Sequence, residues 1–340
     1  MIDEQLARYD AASHPDDVDS NDQDIAEEPC LILMGGAPGR GVVERYGMRS
    51  NCWTACAPMP TPRFGLVAAR LPTAPASILA IGGLAAGRAL DVVERYARDS
   101  PEGLLVGSWG TSEAQGGPRL SAPRGHVAAA RVDGHLHLLG GHDGMQAVST
   151  VETMCLSSFT EEFTGETTDA MQLPDLPTPR FGACAAVCRD HLYVLGGSGD
   201  AEMRVDVARL DGGDGRSRAW ATPRAAQLQA SRCFAATATY RGSVYLFGGG
   251  PRRVARLDPR AAYNGGWADA GELPVCVLDT FAAGDNDSPD WLVGGSTTTA
   301  LWRYDTRMHR AEVRTVLPPT LAHAPFLAAV FLPRHGQAHA

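Results

Sequence analysis

The sequence predicts an all-β fold, a six-bladed β-propeller in which six antiparallel sheets of four strands form a closed ring. Three observations predict it: six Gly-Gly pairs that each end a short apolar run, a second strand-like segment after every pair, and no helical periodicity of useful length. The intervals between successive pairs range from 46 to 58 residues. A variable interval around a fixed signature indicates a repeated structural unit whose loops differ in length.

Each repeat supplies four short strands in the same order. The second strand is the apolar run that ends in the glycine pair, at residues 31–36, 78–83, 136–141, 192–197, 244–249 and 291–295. The third strand follows at residues 42–46, 91–96, 150–156, 205–210, 253–258 and 301–305. A tryptophan after it marks the fourth strand in four repeats, at Trp53, Trp109, Trp220 and Trp267. The first strand is a stretch of small residues, and we expect it to be innermost because strands converge at the axis of a ring.

The two ends of the chain predict how the ring closes. The first strand-like segment, at 30–36, is a second strand with no first strand before it. The last segment, FLAAVFL at 326–332, resembles a first strand and has no glycine pair after it. We therefore predict that the C-terminal strand pairs into the N-terminal blade as its innermost strand, which leaves no long sheet edge exposed.

Composition and charge narrow the function classes. The chain of 340 residues is 44% hydrophobic and 20% charged, as is typical of globular proteins. Its formal charge of −9 lies within residues 1–28, which hold ten acids and one arginine, so we predict an acidic disordered tail at 1–28 and a propeller at 29–340. The neutral body lacks the basic face of a nucleic-acid-binding protein. With no long apolar run and no export signal, we expect a cytoplasmic protein that does not bind membranes.

One segment carries a family resemblance. Residues 34–65, MGGAPGRGVVERYGMRSNCWTACAPMPTPRFG, resemble a blade of the kelch-like proteins through the glycine pair, VERY, the tryptophan and the APMPTPR turn. The second repeat has the glycine pair and DVVERY again, and the resemblance extends over about residues 29–334. It implies a kelch propeller, closest to that of the BTB-kelch proteins. Their BTB and BACK regions, which engage a cullin ligase, do not fit into 28 residues, so we expect no direct cullin binding.

An arginine opens four of the six innermost strands. Aligned on the strands, these positions hold Arg63, Arg124, Arg180, Arg232, Asp279 and Ala324. The resemblance implies that they line one mouth of the channel, where the arginines grip acidic groups of a partner segment. The alternative is that each arginine only ties adjacent blades together by hydrogen bonds. The loops after the glycine pairs reach the same mouth and offer further contacts at Arg40, Arg88, His142, Asp143, Met145, Asp200 and Arg252.

The resemblance therefore implies a non-catalytic protein-interaction module that binds a partner, with an acidic segment as the expected ligand and with no cofactor or metal. Modulation of substrate recognition by ubiquitin ligases follows from the same resemblance. One alternative is binding to actin and the cytoskeleton. Another is a kelch-type oxidase or sugar epimerase, for which His126, His142 and His323 are candidate ligands, although no tyrosine is placed beside them.

Two further features have a structural and a functional interpretation. The pairs Cys52/Cys56 and Cys184/Cys188 have metal-like spacing, but four residues of a strand span roughly 13 Å, so we interpret them as small core thiols. The acidic tail could occupy the arginine mouth and compete with a partner; the alternative is a solubilising tail.

Overall fold

The computed structural model describes residues 28–37, 41–71, 77–97, 107–110, 118–159, 173–189, 191–199, 202–204, 206–211, 218–223, 226–260, 266–285 and 288–332. The predicted tail up to residue 27 lies outside these ranges, as do Arg40, Asp200 and most of the long connections at 98–123 and 157–179. The described residues contain no helix that is long and apolar enough to cross a membrane.

Six antiparallel sheets form the blades, and the strands of each blade succeed one another from the axis outward. Blade 1 contains β25 (Leu327–Leu332), β1 (Cys30–Gly35), β2 (Val43–Gly47) and β3 (Trp53–Ala55). Blade 2 contains β4 (Val67–Arg70), β5 (Ser77–Ile81), β8 (Val93–Ala97) and β9 (Ser108–Gly110), with a small hairpin of β6 (Leu84–Ala85) and β7 (Arg88–Ala89). The described strands of blade 3 are β10 (Ala128–Val132), β11 (His135–Leu139) and β12 (Val151–Cys155), followed by a 3₁₀ turn at Leu156–Ser158.

The remaining three blades each have four described strands. Blade 4 contains β13 (Cys184–Cys188), β14 (His191–Leu195), β15 (Val207–Asp211) and β16 (Ala219–Ala221). Blade 5 contains β17 (Ala235–Tyr240), β18 (Ser243–Gly248), β19 (Arg253–Leu257) and β20 (Trp267–Glu272). Blade 6 contains β21 (Phe281–Gly284), β22 (Asp290–Gly294), β23 (Ala300–Asp305) and β24 (Arg310–Val316). The predicted all-β propeller is confirmed.

The C-terminal strand closes the ring as predicted. Strand β25 pairs antiparallel with β1, from Leu332 opposite Cys30 to Leu327 opposite Gly35. It therefore occupies the innermost position of blade 1, where each other blade uses the strand that precedes its own apolar run. The first and last strands of the chain are thus held in one sheet.

Hydrophobic side chains pack between neighbouring blades. Six clusters of buried residues correspond to the six blade interfaces of the ring. Between blades 6 and 1, for example, Leu31 packs in one cluster with Leu292 and Leu301. Strand β25 contributes to two clusters, through Val330 towards blade 2 and through Leu327 towards blade 6. Each blade therefore depends on both of its neighbours to bury its two faces.

The glycine pairs join each blade to the next. Gly82 and Gly83 have φ of 58° and 106°, and Gly83 N donates to the carbonyl oxygen of Arg124 in the following blade at 2.9 Å. A Cβ atom on Gly82 would lie 2.5 Å from that same oxygen. Both the left-handed backbone and the close approach require glycine at this position. We call the end of the ring that carries these pairs the mouth face.

Glu28 holds the N-terminal end of the ring at the face opposite the mouth face. Glu28 is 4% exposed, and its carboxylate accepts hydrogen bonds from Arg49 N at 2.6 Å and from Ser50 N and Oγ at 2.9 and 2.6 Å. Because β1 runs from Cys30 towards its glycine pair at the mouth face, residue 28 precedes it at the other end. The acidic residue at the end of the predicted tail is therefore part of the folded body.

Candidate functional site

The candidate arginines lie inside the blades. The exposed fraction is at most 6% in all four, Arg63, Arg124, Arg180 and Arg232. In blade 2, Arg63 donates to Glu94 Oε2 at 2.5 Å and to the carbonyl oxygen of Ala80 at 2.9 Å. Burial lowers the pKa of the Arg63 guanidinium, and the charge of Glu94 opposes that effect. The charge of this arginine is therefore compensated within its own blade.

The next two arginines repeat this arrangement. A guanidinium nitrogen of Arg124 lies 3.6 Å from Glu152 Oε2. Arg180 donates to Asp206 Oδ2 at 2.5 Å and to the carbonyl oxygen of Gly196 at 3.0 Å. Each guanidinium ties the segment that enters an innermost strand to outer strands of the same blade. The geometry favours the alternative in which the arginines have a structural role. Their hydrogen bonds lie inside one blade, whereas the sequence-based alternative placed them between adjacent blades.

Arg232 has a different environment. It donates to the carbonyl oxygens of Gly248 at 2.6 Å and Arg253 at 2.8 Å, and no carboxylate of the described residues lies within ion-pair distance of it. Partner binding by any of the four arginines stays a prediction. The pairing of Arg63 and its two counterparts with acids of this chain weighs against it for those three.

Asp279 does not occupy the position of the arginines. The carbonyl oxygen of Arg232 accepts a hydrogen bond from Gly197 N at 2.7 Å, and the equivalent bond, from Gly249 N at 3.1 Å, goes to Val277. Val277 is therefore the counterpart of the arginines in blade 6, and the sequence alignment was two residues out of register. The Asp279 carboxylate accepts a hydrogen bond from Ser296 Oγ at 2.7 Å, and burial raises the pKa of this carboxyl group.

Asp279 belongs instead to a ring of residues around the channel. One or two positions before each innermost strand lies a residue with a left-handed backbone, with φ between 47° and 59°. These residues are Gly65, His126, Gly182, Phe234, Asp279 and Phe326. Backbone hydrogen bonds run from blade to blade along this ring, from His126 N to Gly65 O at 2.8 Å, from Gly182 N to His126 O at 2.9 Å and from Phe234 N to Gly182 O at 2.7 Å. All six residues line an open cavity of about 140 Å³ at the axis. We call them the axial ring.

Aromatic side chains cap the channel at the mouth face. The ring centroids of His126, Phe234 and Phe326 lie 4.6 to 5.0 Å from one another. Phe64 packs on Phe326 at 5.7 Å, and Phe181 packs on Phe234 at 6.0 Å. Burial lowers the pKa of His126 to about 4, with a smaller contribution from His142, so the imidazole is neutral at neutral pH. These five residues form the aromatic cluster.

This aromatic cluster was not predicted from the sequence. Phe64 and Phe181 each follow an arginine in TPRFG, the motif in which the arginine was the predicted contact. The repeated aromatic residue directly after it was the available signal. Phe234 and Phe326 carry no such repeated motif, because they occupy the left-handed position that holds glycine in blades 2 and 4.

Small hairpins project from one side of the mouth face. The loop after the glycine pair forms the β6/β7 hairpin in blade 2, a bridge between His142 and Ala147 in blade 3, and a bridge between Ser198 and Met203 in blade 4. In blade 5 only three residues separate Gly249 from the start of β19. Among the described residues, these hairpins form a wall on the side of blades 2 to 4 of the mouth face.

A cleft of about 450 Å³ lies between the hairpins of blades 3 and 4. Its lining includes His142, Met145, Phe181, Glu202 and Met203. Met145 is 92% exposed and Met203 50% exposed, whereas Phe181 connects the cleft to the aromatic cluster and stacks edge-on with His142 at 5.3 Å. We call His142, Met145, Phe181 and Met203 the mouth surface.

The other predicted contacts lie around this surface without converging on one point. Arg88 is exposed on the β7 strand of the neighbouring hairpin. Arg252, in blade 5, forms an exposed ion pair with Glu272 at 3.7 Å. Asp143 Oδ1 accepts hydrogen bonds from Met145 N at 2.7 Å and Gln146 N at 2.8 Å, which shapes the hairpin tip. The candidates therefore surround the cleft rather than forming one charged site.

Histidine and cysteine are not assembled into a metal centre in the part of the chain that the structure describes. His126 and His142 both lie near the axis, but His323 is directed to the carbonyl oxygen of Ser296, at 3.3 Å. Cys56, Cys184 and Cys188 are buried, as expected of core thiols. The interpretation was wrong for Cys52, which is exposed because it lies just before β3 rather than inside a strand.

Comparison with known proteins identifies a kelch-like relative. No family model matches the chain. A curated protein, the Kelch-like protein terF of Aspergillus terreus (strain NIH 2624 / FGSC A1156), is 29% identical over 268 residues, which cover 74% of this chain and 56% of the relative. The chain thus spans little more than half the length of that relative. Together with the ring of six blades, this similarity supports a protein-interaction module in general terms. The chain is a six-bladed β-propeller homologous to a kelch-like protein.

Proposed function

We propose that this propeller binds a segment of a partner protein at the mouth surface, with a bulky apolar side chain of the partner inserted between Met145 and Met203. The observation that carries the proposal is the cleft between two exposed methionines, open above the aromatic cluster. Methionine is flexible and polarisable, so it adapts to an incoming apolar group. Anchors of this kind, set in a pocket, supply most of the binding energy of an interface.

The charges beside the cleft indicate which residues flank the apolar anchor. Asp143 and Glu202 stand at the tips of the two hairpins, and neither forms an ion pair within the described residues. The arginines expected at this mouth are buried below it. At the mouth surface, the proposal therefore favours a partner with a lysine or arginine next to its anchor, in place of the acidic segment expected from the sequence.

The finer parts of this function are proposed from the sequence resemblance and from the geometry of the channel entrance. Modulation of ubiquitin-ligase substrate recognition, without direct binding of cullin, is proposed because the chain resembles propellers that deliver partners to such ligases. A non-catalytic role is proposed because aromatic side chains, including the neutral imidazole of His126, pack against one another at the channel entrance, and Asp279 is the one carboxyl group of the axial ring. Actin binding would be the alternative if filaments co-sediment with the protein.

A phage-displayed peptide library selected on the full chain tests the site. We expect the selected peptides to share a bulky apolar residue beside a basic one. Substituting Met145→Asp or Met203→Asp should weaken their binding about tenfold or more, since a buried apolar anchor contributes at least that much. The matched control is Met308→Asp, which changes a methionine that is 72% exposed in the turn after β23 at the opposite face. Peptides without an apolar anchor, or equal loss with the Met308 variant, would contradict the proposal.

A further inference from the structure

In the described part of blade 5, no acidic residue takes the place of those that blades 2, 3 and 4 position beside their arginines. Glu94 lies opposite Ala80 in the strand ladder, one residue before the end of β5, and Glu152 lies opposite Leu138 at the same point of blade 3. In blade 5 the equivalent partner of Leu246 is Ala255. Blade 4 also has alanine at this point, Ala208, and pairs its arginine with Asp206, two residues earlier, where blade 5 has Arg253. Neither position of blade 5 therefore supplies an acid to Arg232.

The hydroxyl group that accompanies the acid is missing from blade 5 as well. Thr61 Oγ1 donates to Glu94 Oε1 at 2.6 Å, and Ser121 Oγ donates to Glu152 Oε2 at 2.9 Å. The corresponding crossover into blade 5 brings Ala230 to this place. Two polar groups of the repeat are thus replaced by alanine in one blade.

A cavity of about 270 Å³ occupies the space that these replacements leave. Arg232, 6% exposed, lines it, and its guanidinium is bound to two backbone carbonyl oxygens without a carboxylate partner among the described residues. The nearest acid in the lining, Asp269, pairs instead with Arg253 Nε at 3.2 Å, where both side chains are about half exposed at the rim. The buried positive charge of Arg232 is therefore left uncompensated by a side chain.

The remaining walls suit a short aliphatic chain. Leu228, Pro251 and Trp267 line the cavity, and the indole Nε1 of Trp267 is already committed to the carbonyl oxygen of Ala226 at 2.8 Å. Apart from the exposed Gln229 and the Arg253–Asp269 pair, the lining is apolar, and the guanidinium of Arg232 is its buried cation.

We propose that this blade 5 pocket binds a carboxylate from outside the chain, which takes the place that Glu94 and Glu152 occupy in blades 2 and 3. The ligand is a short aliphatic carboxylate, present either as an aspartate or glutamate side chain of a peptide or as a small free acid. The pocket shares no residue with the mouth surface, so the two proposals stand or fall separately. An acidic group of a partner, expected from the sequence at the channel, would bind in this pocket instead.

The substitution Ala255→Glu tests the proposal by supplying the carboxylate from the protein itself. NMR titration of the wild type with glutarate, and separately with a Gly-Ser peptide that contains one glutamate, should give saturable shifts of the Trp267 indole signal. In the Ala255→Glu variant those shifts should disappear and Tm should rise by a few degrees. Tighter binding of the peptide would assign the site to a partner side chain, and tighter binding of glutarate to a small free acid.

Two controls separate charge from space filling. Ala255→Gln fills the same volume without charge and should lack the rise in Tm that Ala255→Glu produces. Inorganic phosphate, a tetrahedral anion without an aliphatic chain, should bind at least tenfold more weakly than glutarate. The proposal is overturned if neither carboxylate gives a saturable shift in the wild type, or if Ala255→Glu binds both as well as the wild type does.

Discussion

Arg63 and Glu94 illustrate what the arginines of this propeller do. Their side chains are 0% and 2% exposed, and the guanidinium and carboxylate are 2.5 Å apart. A buried pair of this kind adds little net stability over apolar residues, but removal of one partner leaves an unpaired charge in the interior. The same residue type has another meaning in blade 5, where Ala255 replaces the acid and Arg232 faces a cavity. The residue on the neighbouring strand therefore decides whether each arginine forms an ion pair or faces a cavity.

Breaking this pair on one side should be costly. We expect Glu94→Gln to lower the free energy of unfolding by about 3–5 kcal/mol, because Arg63 stays buried without its counter-charge. The double substitution Arg63→Met with Glu94→Leu should lose less than the single one, since no charge remains. Chemical denaturation of the three proteins measures this. As a control, Arg252→Gln removes a half-exposed ion pair and should cost below about 1 kcal/mol. Equal losses for the single and double variants would show that the unpaired charge is not the cause.

At the scale of elements, strand β25 has the greatest structural consequence. It pairs with β1 over six positions and contributes to the hydrophobic clusters on both sides of blade 1. Its loss would leave blade 1 without its innermost strand and would expose β1 as a sheet edge. The hairpins of blades 2 to 4 are elements of the opposite kind, since they project from the ring and vary in length without changing the blade beneath.

Removal of β25 should unfold the whole ring. We expect a chain without residues 326–340 to lose cooperative thermal unfolding and near-ultraviolet circular dichroism, because two blade interfaces lose their packing together. A chain that lacks only residues 334–340, after the strand, is the matched control and should keep the Tm of the full chain. A folded ring in the shorter variant would mean that closure does not depend on this strand.

At the scale of the whole molecule, stability is spread over six similar interfaces. Each hydrophobic cluster joins two blades, and the axial ring adds backbone hydrogen bonds from blade to blade. No single blade holds a core of its own among the described residues. A closed ring of this kind can be opened at a different point, provided that the strand order inside each blade is kept.

A circular permutant tests this property. Because Leu332 lies opposite Cys30, a linker of a few residues can join 332 to 28, and new ends can be placed in the turn at Asp133 and Gly134 between β10 and β11. We expect cooperative unfolding with a Tm only a few degrees lower, measured by differential scanning calorimetry. Placing the new ends between Leu138 and Leu139, inside a buried strand, should instead prevent folding. Loss of cooperativity in the first permutant would show that the natural closure point is special.

The number of blades, the order of their strands and the closure of the ring all follow from the repeat pattern of the sequence. These features are encoded within each repeat, because every repeat has the same apolar run and a glycine pair that its backbone conformation requires. The loops that reach the mouth followed from strand alternation, and His142 and Met145 were named on that basis.

Tertiary structure alone decided which side chains meet. Asp279 lies two positions after the residue that corresponds to the arginines. The backbone hydrogen bond from the neighbouring glycine pair identifies that residue as Val277. The aromatic cluster joins Phe64 to Phe326, residues from nearly opposite ends of the chain. Whether a buried arginine is paired, or faces a cavity as Arg232 does, depends on acids of other strands. A periodic pattern specifies backbone position, whereas contacts at the axis and inside a blade depend on how the strands converge.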